Sequence, residues 1–93
     1  MGYIYILAST ANGTLYIGVT SNLIKRIWEH KNKVVEGFTS KYAVDRLVYF
    51  ECYDNIQDAI YREKLLKEWK RKWKLDLINK SNAKWIDLYD QIV

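Results

Sequence analysis

The 93-residue chain is long enough for one domain with its own hydrophobic core and leaves little room for a second. Hydrophobic residues make up 49% of the chain and proline is absent, which excludes an intrinsically disordered or collagen-like protein. The net charge of +4 favours a polyanionic partner, with nucleic acid before an anionic membrane. We therefore predict a single domain over residues 1–93.

Cysteine usage and the N-terminus predict a cytoplasmic setting. Cys52 is the only cysteine, which excludes an internal disulfide and a thiol-rich metal site and fits a reducing compartment. The apolar N-terminus lacks a basic leader, and its hydrophobic run is too short for a signal peptide or a membrane span. We expect a soluble protein that does not enter a membrane. The sequence leaves the oligomeric state open.

The first two predicted elements are strands joined by a tight turn. Residues 2–8, GYIYILA, are apolar at nearly every position, which is typical of a central strand that is covered on both faces. Asn12-Gly13 predicts a two-residue type I′ turn, because that turn needs positive φ at both central residues. Residues 14–19, TLYIGV, then form the returning strand.

Tyr5 and Tyr16 are predicted on one side of this hairpin, because side chains alternate along a strand. With a two-residue turn Tyr5 pairs with Thr20, which separates the two tyrosines by about 13 Å along the strands. A longer loop would bring them closer on the same side, whereas a bulge would break this parity. Gly18 costs strand stability, so it indicates a bulge or a group that approaches the backbone closely.

An amphipathic helix follows, capped by Thr20 or Ser21. Arg26 and His30 are four residues apart, so they share one flank of this helix. After a loop, residues 47–53, LVYFECY, predict a third strand by their β-branched and aromatic content.

A long helical pattern then runs from residue 55 to about residue 79, and a kink is expected near Lys70. Glu63 falls within its apolar stripe, between Ile60 and Leu66. Acidic residues are rarely placed on a core face without a partner. A short helix near the C-terminus completes the predicted fold. We expect an α/β domain with a three-stranded, mainly antiparallel sheet flanked by helices, in the order ββαβα(α).

Each polar residue also has an ordinary structural explanation when it is taken singly. A lone strand tyrosine is usually a packing residue, and Glu63 is spaced for an ion pair with Lys67 one turn on. Residues 62–74 carry seven basic side chains against two acidic ones, and charge alone more often indicates a solvated helix face than a binding surface.

The combination of these residues resembles the GIY-YIG nuclease superfamily. Its pattern is matched by Tyr3-Ile4-Tyr5, Tyr16-Ile17-Gly18, Arg26, His30 and, on a downstream helix, Glu63. The segments VTSNLIKRIWEHKN, EGFTSKY, REKLLKEWKRKWK and NAKWIDLY resemble the small stand-alone, single-domain subgroup, so the resemblance covers nearly the whole chain. Tyr3 stands where the motif name has glycine, and Ala83 stands where the subgroup often has proline.

The resemblance implies a metal-dependent endonuclease that hydrolyses phosphodiester bonds in nucleic acid, DNA above all, with one divalent cation, Mg²⁺ or Mn²⁺. Glu63 would be the single carboxylate ligand of that cation. Tyr5 would be the general base, with its pKa lowered by the cation and by Arg26, and His30 would relay the proton. Arg26 would stabilise charge on the phosphoryl oxygens, and Tyr16 would orient the water or the phosphate. All five side chains should then converge on one open surface.

Further residues are predicted to contact the nucleic acid. Gly18 would leave room for its backbone, and the candidate phosphate contacts are Lys41, Tyr42, Lys64, Lys67, Lys70 and Lys74, with Asn82 added by the resemblance alone. Single-stranded, duplex and branched DNA, and RNA, remain open as substrates. The alternatives are a non-catalytic nucleic-acid-binding module on the same scaffold and a membrane-surface or protein-interaction domain that uses the basic helix.

Overall fold

A computed structural model describes residues 1–93 as an α/β domain in which helices cover both faces of a three-stranded antiparallel sheet. The strands are β1 (Gly2–Ala8), β2 (Leu15–Thr20) and β3 (Arg46–Tyr53), in the spatial order β2-β1-β3. The helices are α1 (Leu23–Lys31), α2 (Phe38–Lys41), α3 (Ile56–Glu68), α4 (Arg71–Ser81) and α5 (Tyr89–Ile92). The predicted fold class is confirmed, and the full order is ββααβααα. None of the helices combines the length and the apolar composition needed to cross a membrane.

The central position of β1 explains its nearly continuous apolar sequence. One core contains Ile4 and Ile6 together with buried residues of α3 and α4. A second core, on the opposite face of the sheet, contains Tyr5 and Leu7 together with buried residues of α1. Because β1 is paired along both edges and covered on both faces, every residue from Ile4 to Ala8 is buried.

The hairpin between β1 and β2 has a longer connection than predicted. Its loop is closed by the Ser9 amide, which donates to the Thr14 carbonyl at 3.0 Å. Asn12 has a positive φ of 57°, but Gly13 does not, so the Asn-Gly pair does not form a type I′ turn. The prediction of a two-residue turn was therefore wrong.

The longer loop changes the register of the two strands. Tyr5 pairs with Gly18, and Thr20 pairs with Tyr3. The pairing of β1 with β2 is continuous, so the parity of the side chains is kept. Tyr5 and Tyr16 lie on the same side, as predicted, but their ring centroids are only 6.3 Å apart.

The predicted long helix is two helices. Trp69 and Lys70 have extended backbones, with ψ of 148° and 149°, and they separate α3 from α4 at the place where a kink was expected. The break contains neither glycine nor proline, so its cause is tertiary. Arg71 donates to the carbonyls of Asn12 at 2.8 Å and Gly13 at 2.7 Å, which ties the start of α4 to the β1–β2 loop.

Local details of the remaining helices also differ from the predictions. The cap of α1 is Asn22, whose side chain accepts from the Lys25 amide at 3.1 Å, and not Thr20 or Ser21. The segment before β3, predicted as a loop, contains the short helix α2. Residues 82–88 after α4 are not helical, and α5 begins only at Tyr89.

Candidate active site

Three aromatic side chains meet on the α1 side of the sheet. Tyr5 comes from the central strand, Tyr16 from the edge strand and His30 from the last turn of α1. The His30 ring centroid lies 5.6 Å from that of Tyr5 and 5.6 Å from that of Tyr16. Tyr5 and His30, 25 positions apart in sequence, are therefore in direct contact, and the observed β1–β2 register brings Tyr16 to the same place.

Tyr5 is almost completely buried, with 1% of its surface exposed. Its hydroxyl lies 3.0 Å from Nε2 of His30. Burial is the main reason that the pKa of Tyr5 is raised to about 12, and the nearby Tyr16 adds to this effect. Arg26 opposes the rise without cancelling it. The expected lowering of the Tyr5 pKa is therefore not produced by the protein's own residues.

His30 is 3% exposed and hydrogen-bonded through both ring nitrogens. Its Nδ1 lies 3.0 Å from Oγ1 of Thr39 in α2, and its Nε2 contacts Tyr5. Burial lowers the pKa of His30, and the positive charge of Arg26 lowers it further. Sequence analysis missed Thr39, because it falls in a segment without periodicity that was predicted as a loop.

Arg26 lies on the flank of α1 that it shares with His30, as predicted. Its Nε donates to Oε1 of Glu29 at 3.3 Å, and 41% of the side chain remains exposed. A small polar recess beside it is lined by Thr20, Lys25 and Glu29, among others. A planar guanidinium that is held at one nitrogen and exposed at the others is suited to bind a phosphate oxygen.

Glu63 belongs to the helix layer on the opposite face of the sheet from Tyr5. Its helix neighbours Ala59 and Leu66 are buried in the core that contains Ile4. The Glu63 side chain is only 14% exposed, and its Oε2 lies 3.3 Å from Nζ of Lys67. The expectation that all five side chains share one open surface was therefore wrong: Tyr5 and His30 are buried, and Glu63 comes from the other layer.

At the free edge of β2, residues of α2 on one face of the sheet come close to residues of α3 and α4 on the other. A cleft of about 300 Å³ along this edge is lined by Leu15, Tyr16, Ile17, Phe38, Lys67 and Lys74. Tyr16 and the ion-pair partner of Glu63 thus face the same space. Among the charges that affect the pKa of Tyr5, that of Glu63 raises it.

The residues at this edge fit a divalent cation held by one carboxylate. A hard cation such as Mg²⁺ is commonly bound by one or two carboxylates together with water and phosphate oxygens. Glu63 supplies such a carboxylate, and it already attracts the positive charge of the half-exposed Lys67 side chain. No cluster of three or more His, Cys, Asp and Glu side chains is present, so the other ligands would come from water and substrate.

The remaining predicted contacts divide into surface residues and structural residues. Lys64 and Lys70 are exposed, and Lys70 lies over the ring of Trp73 at 5.7 Å. Lys41 is exposed and lies 5.5 Å from the centroid of the Tyr42 ring, which packs against Phe38 at 5.0 Å. This aromatic pair lies beside the cleft, because Phe38 is one of the residues that line it.

Asn82 is a buried structural residue. It is 7% exposed, and its amide nitrogen donates to the carbonyls of Val48 at 3.1 Å and Ile86 at 2.9 Å. Its Oδ1 accepts from the Ile86 amide at 3.1 Å. Every hydrogen-bonding group of this side chain is engaged in holding the C-terminal segment to β3, so its prediction as a nucleic-acid contact was wrong.

Gly18 has a different role from the predicted one. A Cβ at this position would lie 2.3 Å from the Tyr5 hydroxyl oxygen and 2.4 Å from its Cζ. The space beside Gly18 is thus filled by the Tyr5 phenol and not left open for a nucleic acid backbone.

Gly18→Ala is expected to displace the Tyr5 ring and to destabilise the protein by about 1–3 kcal/mol, the usual cost of overpacking a filled core. Urea unfolding measures this loss, with Ser21→Ala, an exposed change at the end of the same strand, as the control. If Gly18→Ala unfolds at the wild-type urea concentration, Tyr5 is not packed against Gly18.

Comparisons with known proteins identify the family of this chain. The family model for the GIY-YIG catalytic domain matches residues 1–76. A UPF0213 protein of Clostridium perfringens is 39% identical over 90% of this chain and 89% of its own length. A UPF0213 protein of Pediococcus pentosaceus is 31% identical over 94% of this chain and 92% of its own length. The solution NMR structure of a UPF0213 protein from Bacillus halodurans has a TM-score of 0.58 at 25% identity and covers 94% of this chain and 93% of that one.

The family match includes Tyr5, His30 and Glu63 as well as all the residues that line the cleft at the β2 edge. The two relatives match along about nine tenths of their own lengths and of this chain. The chain therefore belongs to the GIY-YIG family of nuclease catalytic domains.

Proposed function

We propose that this chain is an endonuclease that hydrolyses phosphodiester bonds in DNA with one bound divalent cation, Mg²⁺ or Mn²⁺. The observation that carries the proposal is the buried Tyr5–His30 pair, which contacts Tyr16 and whose tyrosine pKa is affected by the charges of Arg26 and Glu63. Glu63 is only 14% exposed and lies on a helix face that is otherwise apolar, and packing alone does not explain an acidic residue there.

Tyr5 is the proposed general base. Its phenolate would take a proton from a water molecule, the hydroxide would attack phosphorus, and the bond to the leaving oxygen would break, with that oxygen protonated by solvent. A pKa of about 12 leaves little phenolate at neutral pH, so positive charge near Tyr5 is required. Arg26 supplies part of it, and a divalent cation bound to Glu63 would supply more positive charge to Tyr5 and to the phosphate.

Arg26 and Tyr16 are proposed to hold the phosphate. The exposed guanidinium of Arg26 is the group best suited to stabilise charge that develops on the phosphoryl oxygens. Tyr16 lines the cleft while its ring contacts both Tyr5 and His30, so a phosphate bound to its hydroxyl would sit beside the general base. His30 is proposed to exchange a proton with Tyr5, directly through the 3.0 Å contact.

The cleft at the β2 edge gives the nucleic acid a path to this site. Lys67, Lys74 and Phe38 line it. The two lysines would bind phosphates, and a base would stack on the phenylalanine ring. The exposed Lys64 and Lys70 extend the positive surface along α3 and α4. Phosphate contacts of this kind give affinity without sequence specificity.

Replacing Lys67, Lys70 and Lys74 together by glutamine is expected to lower the slope of log affinity against log salt by about 2–3 units, because each phosphate contact contributes somewhat under one. Fluorescence anisotropy with labelled DNA at several salt concentrations measures the slope. The matched control replaces Lys33, Lys80 and Lys84, which are exposed and do not line the cleft, whereas Lys67 and Lys74 of the test variant do. Equal slopes for the two triple variants would show that the α3–α4 surface is only solvated.

The direct test of function is cleavage of a panel of labelled single-stranded, duplex and branched DNA and of RNA. We expect cleavage of at least one DNA substrate with Mg²⁺ or Mn²⁺ and none with a chelator. The alternative is a non-catalytic nucleic-acid-binding module, and the Glu63–Lys67 ion pair is the observation that favours it. Binding of DNA without cleavage of any substrate in the panel would support that alternative and contradict the proposal.

A further inference from the structure

Thr39, His30 and Tyr5 form a chain of two hydrogen bonds in the protein interior. Oγ1 of Thr39 lies 3.0 Å from Nδ1 of His30, and Nε2 of His30 lies 3.0 Å from the Tyr5 hydroxyl. The three residues are 5%, 3% and 1% exposed. Each comes from a different element, α2, α1 and β1, so the fold brings them together over 34 positions of sequence.

The direction of these hydrogen bonds follows from counting protons. A neutral histidine carries one ring proton, and the hydroxyls of threonine and phenolic tyrosine carry one each. Two hydrogen bonds use only two of these three protons, so one proton is left at an end of the chain. It lies either on Thr39, if Tyr5 donates to Nε2, or on Tyr5, if Thr39 donates to Nδ1.

The surroundings of the two ends decide between these arrangements. Nδ1 of His30 is the only hydrogen-bonding partner of the Thr39 hydroxyl, so its proton would be buried without an acceptor if it did not donate there. The Tyr5 ring contacts Tyr16, which lines the cleft at the β2 edge, so the Tyr5 end of the chain lies on the side of that cleft. The left-over proton is thus better accommodated at Tyr5, on the side of the candidate site.

We propose that Thr39 is a positioning residue that donates to Nδ1 and holds His30 as the Nε2–H tautomer, so that His30 donates a hydrogen bond to the Tyr5 oxygen. This deepens the proposed function and rests on it where it concerns catalysis. A hydrogen bond to the charged form of a group favours that form. When Tyr5 is a phenolate, Thr39 donates to His30 and His30 donates to Tyr5, so every proton of the three side chains is used in a hydrogen bond.

The tautomer can be read directly, because His30 is the only histidine of the chain. Long-range proton–nitrogen correlation spectra of ¹⁵N-histidine-labelled protein distinguish a protonated from an unprotonated ring nitrogen. We expect Nε2 to carry the proton in the metal-free wild type at mildly alkaline pH, where burial and Arg26 keep the ring neutral. Protonation at Nδ1 would overturn the proposal without any variant or activity assay.

Variants of Thr39 supply the second test. Thr39→Val removes the donor that satisfies Nδ1, so the preference for the Nε2–H tautomer should be lost and its fraction should fall. Thr39→Ser should restore the wild-type spectrum. The matched control is Ser40→Ala, because the Ser40 hydroxyl in the same helix donates to the Gly37 carbonyl and does not contact His30. A wild-type spectrum for Thr39→Val would overturn the proposal.

The cleavage rate gives the functional outcome. Thr39→Val should lower kcat by about tenfold with little change in KM, the scale seen for groups that orient a functional histidine. Thr39→Ser should recover the rate together with the tautomer. An unchanged kcat in a Thr39→Val protein whose tautomer has shifted would overturn the catalytic part. If no substrate is cut by the wild type, the endonuclease proposal fails, while the spectra still decide the tautomer.

Discussion

Glu63→Gln is expected to abolish cleavage and to leave the fold intact. The substitution keeps the size of the side chain and its suitability for a helix, but it removes the charge that would hold a hard cation. Affinity for DNA in the absence of metal should hold or improve, because a negative charge beside the phosphate is lost. Single-turnover cleavage and anisotropy binding, measured on the same preparation, separate the two effects.

The matched control is Glu68→Gln, which removes an exposed carboxylate from the same helix that makes no ion pair. It should cut DNA at the wild-type rate. If Glu63 is only the partner of Lys67, Glu63→Gln should instead cost a few tenths of a kcal/mol of stability, about 0.3–0.5, and leave cleavage unchanged. Cleavage at the wild-type rate by Glu63→Gln would exclude the carboxylate from the mechanism.

Tyr5→Phe is expected to lower kcat by about 10²–10⁴-fold, the usual contribution of a general base. The ring still fills the space over Gly18, so the protein should remain folded. In the wild type, kcat/KM should rise with pH through the neutral and alkaline range, because burial raises the pKa of Tyr5 to about 12 and the phenolate is the minor form there. In Tyr5→Phe the dependence on pH should be lost along with the rate.

Tyr3→Phe is the control for this experiment. Tyr3 lies two residues earlier on the same strand and packs against the same core, but its hydroxyl contacts only Met1. It should keep both the rate and the pH profile. A Tyr5→Phe protein with wild-type kcat and an unchanged pH profile would show that another group accepts the proton.

The elements that periodicity and composition predicted correctly are those that local sequence determines. The run GYIYILA gave β1 with its observed bounds, because a strand paired on both edges and covered on both faces has no polar position. The flank shared by Arg26 and His30 followed from helical spacing alone. The placement of Tyr5 and Tyr16 on one side of the sheet followed from strand alternation, and it is correct although the predicted turn was wrong.

Features that depend on distant contacts could not be predicted in this way. Directly after the break at Trp69 and Lys70, Arg71 binds carbonyls 58 and 59 positions away in sequence. The hairpin register depended on the loop length, and the Asn-Gly pair indicated the wrong turn because only Asn12 has positive φ. In both cases a local pattern was overridden by the tertiary structure.

The candidate site shows the same division. The family pattern gave Tyr5, Tyr16, Arg26, His30 and Glu63, but it did not indicate that Glu63 approaches from the opposite layer. Thr39 has no sequence signal of its own and became visible only through its 3.0 Å contact with His30. Asn82 was misassigned because a buried asparagine that caps a helix is indistinguishable by sequence from an exposed one.

The most direct test of the site at the β2 edge is anomalous diffraction from Mn²⁺ in crystals of the inactive Tyr5→Phe variant with a bound DNA oligonucleotide. We predict one manganese ion, with the Glu63 carboxylate as its protein ligand and a phosphate in contact with Arg26 and Tyr16. Lys67 should then have left Glu63 for the nucleic acid. Glu63 still paired with Lys67, with the phosphate bound away from Arg26 and Tyr16, would contradict the proposed site.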